Sequence, residues 1–473
     1  CKKQKRHQKK YSDMRSRYIT AIDIGTSKVA AIVGEKTSAG IRIVGYSEVP
    51  SDGVVRGEIL KSQKTANAVS AALQNVREQL QSVPEAENYR IRKVYVNISG
   101  QSLRCVPATV HKERQDANSS ITREELDSML NEMYMRKVEP SEHVLYVAPQ
   151  CYNVDEHMGE TDPEDMDGSE IDGEYKVFIG RAAAVNHCKS VFDRLDLETK
   201  AQILTPIASG AALLTEDEKE LGSVLVDIGA GTTGVLVYQA DILRHAAVIP
   251  FGGDSVTEDI SQTCSISRKN AEQLKIQKGT CISEFAKDTV LTIKESGVTV
   301  KGIPSKQLSS AIEARICEIL ATVRHIIEIS GFKNKLRSRA VITGGSTNLP
   351  LIQLLAKNIL GMDVRIGFPD SSVITGNSSE AAFRPQASTA VGLIIEGFRL
   401  EELSGDDSYD TPEESETLNE RTDELFPDHD NENSTAGTGP DRPVRPSQTK
   451  KRPRNPWESF RSLFDGTDAD DEA

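Results

Sequence analysis

The chain has 473 residues, 37% apolar and 27% charged, enough apolar material for a large core and, on length, for several domains or subdomains. No stretch approaches the roughly 20 consecutive apolar residues that a membrane-spanning helix needs, and no apolar signal-peptide core follows the basic N-terminus. A net charge of -14 argues against general nucleic-acid binding, which needs a cationic face, and the scattered cysteines show no C-x-x-C pair and read as reduced, structural thiols.

Residues 1–17 read as a basic extension. Cys1 would suit the lipid-modified start of an exported lipoprotein, whereas Met14, just ahead of the first expected strand, offers an ordinary start. From Tyr18 to about Phe398 short apolar β-type runs alternate with helical periods, the pattern of an α/β architecture. The first strand, Tyr18–Ile24, opens the run Ala21-Ile-Asp-Ile-Gly-Thr-Ser-Lys-Val-Ala-Ala-Ile-Val33, read as strand, Asp-x-Gly turn, strand. A helix is expected on Val69/Leu73/Val76/Leu80, a strand at Val94–Ile98 and a second helix on Leu126/Met129/Leu130/Met133. The acidic run Gly159–Glu174 lacks the carboxylate spacing of a calcium loop and reads as an exposed loop.

The opening motif recurs in outline as Leu225-Val-Asp-Ile-Gly-Ala-Gly-Thr-Thr-Gly-Val-Leu-Val237, after the expected strand Val224–Ile228 begins. A hairpin tip built of small and hydroxyl residues exposes backbone N–H and side-chain O–H groups, which makes it a phosphate cradle. The candidate phosphate contacts are Asp23, Gly25, Thr26, Ser27 and Lys28 in the first copy, and Asp227, Gly229, Gly231, Thr232 and Thr233 in the second. Asp23 and Asp227 would repel phosphate unless a cation intervened, which points to Mg2+ held through water. A lone Asp-Ile-Gly would be an ordinary turn; two copies, one in each half, imply a cleft with nucleotide between two lobes. A long helical stripe, Leu308/Ile312/Ile316/Ile319/Val323/Ile326/Ile327, precedes the strand Ala340–Thr343. That strand ends in Gly344, Gly345 and Ser346, where bare backbone can lie flat against an adenine or ribose.

Between Glu401 and Asp441 about fifteen acidic residues face one basic residue with almost no apolar side chains, so 399–449 reads as a self-repelling, disordered linker. The composition then turns to Lys450-Lys-Arg-Pro-Arg454, followed by Trp457, Phe460, Leu463 and Phe464 on one helical face, with Asn455 as cap and Pro456 at the first turn. With Lys451 and Arg452 beside it, this short amphipathic helix (450–473) suits an anionic bilayer surface, at about 1 kcal/mol per cation. The same stripe also suits a groove on a protein partner, and the acids of Asp465–Glu472 oppose the lipid reading.

These motifs resemble the phosphate-1, phosphate-2 and adenosine motifs of the actin, heat-shock chaperone and sugar-kinase ATPase superfamily. Within it the chain resembles the FtsA family of bacterial division proteins, through Gly53-Val-Val-Arg-Gly57, Leu214–Gly222, Arg244–Gly253 and Ala271–Gly279. The resemblance implies an actin-like two-lobed ATPase fold: first lobe 18–100 and 177–220, an inserted 1C-type subdomain at 101–176, and second lobe 221–398 with an outer subdomain near 253–332. It also implies ATP and Mg2+ as ligands, with Glu272 and Lys275 at the ribose and adenine. Expected partners are the FtsZ C-terminal tail (outer subdomain), other copies of the chain and later division proteins (inserted subdomain), and the cytoplasmic face of the membrane at the septum. Thr205 stands where chaperone-like relatives carry a water-orienting Glu, so turnover is expected to be slow, nucleotide acting as a structural or polymerisation switch. A pilus-type actin-like adaptor is the alternative; a chaperone-like ATPase would need a substrate domain after Phe398.

Overall fold

The computed structural model describes residues 17–100, 102–114, 119–295, 298–375 and 379–404. The expected linker beyond 404 and the segment with Lys451, Arg452, Trp457, Phe460, Leu463 and Phe464 lie outside the described residues.

The first lobe starts as an antiparallel meander, β1 (Arg17–Ile24), β2 (Lys28–Thr37) and β3 (Gly40–Pro50), followed by a two-residue ribbon, β4 (Val54–Val55) and β5 (Glu58–Ile59). Helix α1 (Ser62–Gln81) then crosses to β6 (Lys93–Ile98), which lies parallel to β1. Val69, Leu73, Val76 and Leu80 are buried on one face of α1, as their helical spacing requires. An inserted subdomain follows: β7 (Arg104–Glu113), α2 (Arg123–Tyr134), β8 (Glu142–Val154), β9 (His157–Glu160) and β10 (Glu170–Arg181). Its sheet order is β7-β10-β8-β9, and α2 buries Leu126, Met129 and Met133 against it. Thr122 and Glu125 close a capping box at the start of α2, and Arg114 ties the loops together through Ser119 O, Gly168 O and Glu125.

The acidic run Gly159–Glu174 is only partly a loop. Gly159–Glu160 end β9, and Glu170–Glu174 already belong to β10, with Ile171, Gly173 and Tyr175 buried in alternation and the acids on the outer face. The alternation follows the two-residue period of a half-buried strand.

The chain returns through α3 (Ala182–Asp193), β11 (Glu198–Leu204) and α4 (Thr205–Leu213), then enters the second lobe through α5 (Glu216–Leu221). The second lobe repeats the first: the meander β12 (Ser223–Ile228), β13 (Thr233–Gln239) and β14 (Ile242–Ile249) is extended by the parallel strands β17 (Ala340–Thr343) and β18 (Val364–Ile366). Orders β3-β2-β1-β6-β11 and β14-β13-β12-β17-β18 are therefore equivalent. Helices α6 (Gly253–Cys264), α7 (Arg268–Lys278) and α8 (Ser305–Ile329), with the hairpin β15 (Val290–Glu295) and β16 (Val298–Pro304), form the outer part of this lobe. The apolar stripe from Leu308 to Ile327 along α8 is buried, each large aliphatic side chain contributing about 1.5–3 kcal/mol.

After α9 (Ile352–Leu360) the chain ends its described part in α10 (Ser388–Ser404), which continues past Phe398 into the stretch expected to be linker. Helices α4 and α10 cross between the lobes. A Cβ at Gly392 would stand 1.6 Å from Ala208 O, so only glycine permits this approach. Around the crossing one apolar cluster includes Ile19 and Ala21 of the first sheet, Leu225 and Leu236 of the second, and Ala148 and Phe178 of the insert.

Candidate functional site

Both motif copies fold into the same hairpin. Gly25 N donates to Lys28 O at 2.9 Å and Gly229 N to Thr232 O at 2.9 Å, and the aspartates hold matching registers, Asp23 opposite Ala30 and Asp227 opposite Gly234. The two tips meet: Thr26 Oγ1 accepts from Gly57 N at 3.0 Å, and it lies 2.4 Å from where a Cβ on Gly231 would stand. A side chain at Gly231 would hold the tips apart.

Between the tips lies a cavity of about 390 Å³. Its walls include Asp23, Gly25, Thr26, Ser27 and Lys28, then Asp227, Gly229, Gly231 and Thr232, then Glu272 and Lys275, and finally Gly344, Gly345 and Ser346. Gly344 has φ +91°, and a Cβ there would fall 2.5 Å from Ile228 O and 2.6 Å from Asp227 Oδ1, so this turn passes over the second hairpin only as glycine. Gly252 is similarly confined, since a Cβ there would stand 2.5 Å from Gly229 O; the following amides of Gly253 and Asp254 donate to Gly229 O and Ala230 O and dock α6 on the hairpin tip.

Lys275 is buried and donates to Gly253 O at 2.9 Å and Thr257 Oγ1 at 2.8 Å, with Glu272 Oε2 at 2.7 Å. Glu272 and Lys275 are therefore a cavity-wall pair, with Ile276 exposed beside them. Thr233 departs from the expected set. It is fully buried at the start of β13, its hydroxyl donates to Phe251 O at 2.8 Å, and it supports the tip from behind without lining the cavity.

The sequence reading missed Asn97, Ser99, Gln386 and Thr389, which also line the cavity, and Ser209 behind it. Buried Asn97 accepts from Ile24 N at 2.7 Å and donates to Ile24 O at 3.3 Å and Thr205 Oγ1 at 3.1 Å, so it fixes the end of β1 to the start of α4. Thr205 spends its hydroxyl proton on Ile98 O at 3.2 Å.

The paired aspartates are unequal. Asp227 Oδ2 accepts from Ser209 Oγ at 2.6 Å and Thr389 Oγ1 at 3.4 Å; burial raises its pKa, against those bonds and Lys28. Asp23 is buried with no side-chain donor among the described residues. Burial pushes its carboxyl up to about 7, with Lys28 opposing and the charges of Asp227 and Glu48 adding to the rise. A buried carboxylate facing a cavity without a donor of its own has the chemistry of a cation ligand.

Two sheets of equivalent order, each presenting an Asp-tipped hairpin to a shared cleft, with a subdomain inserted in the first lobe, define an actin-like protein. The fold agrees: a solved PilM-PilN type IV pilus biogenesis complex aligns with TM-score 0.57 at 17% identity, over 80% of this chain and 98% of that one. The sequence profile of the family "Cell division protein FtsA" matches residues 224–392, and that of the "SHS2 domain inserted in FTSA" matches 100–179, the inserted sheet. The chain is 31% identical to the cell division protein FtsA of Neisseria meningitidis serogroup B over 82% of its own length and 92% of the relative's. It is 29% identical to that of Bacillus subtilis strain 168, over 81% and 84%. The chain belongs to the FtsA family of cell-division proteins.

Proposed function

We propose that this chain binds ATP with Mg2+ in the cleft, self-associates, and anchors FtsZ filaments to the inner face of the cytoplasmic membrane at the septum through its C-terminal segment. Support for the nucleotide comes chiefly from one observation, the convergence of two equivalent Asp-tipped hairpins on one cavity. The phosphates would meet the tips, and Gly344–Ser346, Glu272 and Lys275 the adenosine. Asp23 and Asp227 would hold Mg2+ through water, and the ion would neutralise phosphate charge there. Thr205 offers no carboxylate to orient water, a service worth about 10²–10⁴-fold in rate, so nucleotide acts mainly as a structural switch. Outer-subdomain residues 253–332 would take the FtsZ tail and the inserted subdomain other division proteins, both by family membership.

Among the described residues no helix is long and apolar enough to cross a membrane, and the tether reading rests on the aromatic stripe Trp457/Phe460/Leu463/Phe464 next to Lys451 and Arg452. The test is co-sedimentation with anionic liposomes of the full chain and of a version ending at Ser404, where α10 ends, each with and without FtsZ. The full chain is expected to sediment and to carry FtsZ with it. Equal lipid binding by both versions, without FtsZ recruitment, would overturn the anchoring role; titration with a fluorescent ATP analogue tests the cleft separately.

A further inference from the structure

Lys28 is the first residue of β2, and its side chain lies back over the sheet. In the registers β1/β2 and β2/β3, Asp23, Ala30 and Glu48 form one row across the three strands. Directly opposed residues of an antiparallel sheet point to the same face, so two carboxylates share that face about 10 Å apart, separated only by the methyl of Ala30. Lys28 faces both. Its ammonium is ion-paired with Glu48 and donates to Tyr46 Oη at 3.3 Å, while its charge also acts on Asp23 and Asp227. Tyr46, buried, donates its own hydroxyl to the same Glu48 oxygen. Burial works against the charge on Glu48, yet Lys28 and the Tyr46 hydrogen bond hold its carboxyl below the ordinary range.

Lys28 and Lys275 are the only cationic side chains among the described residues of the cavity wall, and Lys275 is spent on Gly253 O, Thr257 and Glu272. Lys28 is thus the one wall cation beside the hairpin tips, and it is shared with an acid outside the cleft. We propose that Glu48, with Tyr46, is a specificity-determining residue that withholds Lys28 from the cavity, so that a nucleotide must carry enough phosphate charge to draw the ammonium off Glu48. The device rests on the nucleotide reading above. It favours triphosphate over diphosphate by making the lysine answer to the anion of higher charge, and it lowers affinity for both relative to a freed lysine.

Full-length protein is titrated with fluorescent ATP and ADP analogues in Mg2+, as wild type, Glu48→Gln, Tyr46→Phe, Lys28→Met and the Glu48→Gln/Lys28→Met double variant, with circular dichroism to confirm folding. Glu48→Gln is expected to tighten ATP binding several-fold, Tyr46→Phe to do so less, and ADP to gain most in relative terms, narrowing the ATP/ADP ratio. In the Lys28→Met background the Glu48 effect is expected to fall below twofold. Weaker or unchanged ATP binding in Glu48→Gln overturns the proposal, because Glu48 then positions Lys28 or is idle. The same gain without Lys28 also overturns it, because the effect is then bulk repulsion. If wild type and every variant fail to bind either nucleotide, the nucleotide reading falls and the device with it.

Discussion

Replacing Asp23 by Asn stabilises the nucleotide-free, metal-free protein at pH 8, although Asp23 stands at the centre of the candidate site. Burial raises this carboxyl from 3.8 to about 7. The folded state therefore holds the proton more tightly than the unfolded chain does. The associated stability is fully present below about pH 4 and is lost as pH rises through 7. At about 1.4 kcal/mol per pH unit, the span amounts to roughly 4 kcal/mol of strain in the empty cleft at pH 8. The Asn amide has no charge to desolvate but lacks partners, which returns about 1–3 kcal/mol, leaving a net gain of about 1–3 kcal/mol. Urea unfolding in EDTA at pH 8 and pH 5 measures it: the variant exceeds wild type at pH 8, and the difference shrinks or reverses at pH 5. A variant no more stable than wild type at pH 8, or a difference independent of pH, refutes the account. If Mg2+ and ATP bind as proposed, the order inverts in their presence, because the carboxylate would then have a cation.

Three further outcomes follow from groups around the site. Asn97→Ala leaves Ile24 N and O without their buried partner, costing roughly 2–4 kcal/mol in chemical unfolding and loosening the first hairpin, so ATP-analogue affinity falls by about tenfold. His245, half-buried and pushed down to about 4 by burial and by Lys176, has the opposite pH sign to Asp23. Its contribution is present above about 6.5 and lost as pH falls toward 4, so His245→Gln gains roughly 1–2 kcal/mol on wild type at pH 5 and nothing at pH 8, read from paired urea titrations. Gly392→Ala drives a Cβ into Ala208 O and separates α4 from α10, a cost of about 3 kcal/mol or more; a loss under 0.5 kcal/mol in the same assay would show the crossing to be looser than described.

The hairpin tips were legible because their chemistry and their backbone demand the same residues. Small and hydroxyl side chains fit a tight turn and also bare its amides, and the motif occurs twice, on hairpins of matching register. Asn97, Ser209 and Thr389 were not legible, because Asn97 and Thr389 reach the site from element ends and Ser209 from the middle of α4, and their neighbours are set by how α4 and α10 cross. A faint signal existed: Asn97 interrupts the apolar run Val94–Ile98, and Ser209 sits in an otherwise apolar helix, where a buried polar group needs a partner. Strand β10 was hidden by its solvent face, whose acids masked the Ile171/Gly173/Tyr175 alternation. Thr233 shows the converse error, a hydroxyl in a cradle motif whose strand register turns it inward.

The inserted subdomain belongs by chain connection to the first lobe, yet it also grips the second. Gln150 on β8 is buried; its amide donates to Leu243 O of β14 at 2.9 Å, and Arg244 Nη1 donates back to Gln150 Oε1 at 3.4 Å. Breaking that contact would leave buried polar groups unpaired, at about 1–3 kcal/mol. Ala148 and Phe178 of the insert share an apolar cluster with Leu243 and Ala246 of the second lobe. The same cluster includes Ile207, Ala208 and Ala212 of α4 and Ala390, Val391, Leu393 and Ile394 of α10, so the two lobes pack together at that crossing. Any displacement of β14 relative to the first-lobe sheet would therefore have to strain the strand junctions of the insert or break the Gln150 contacts.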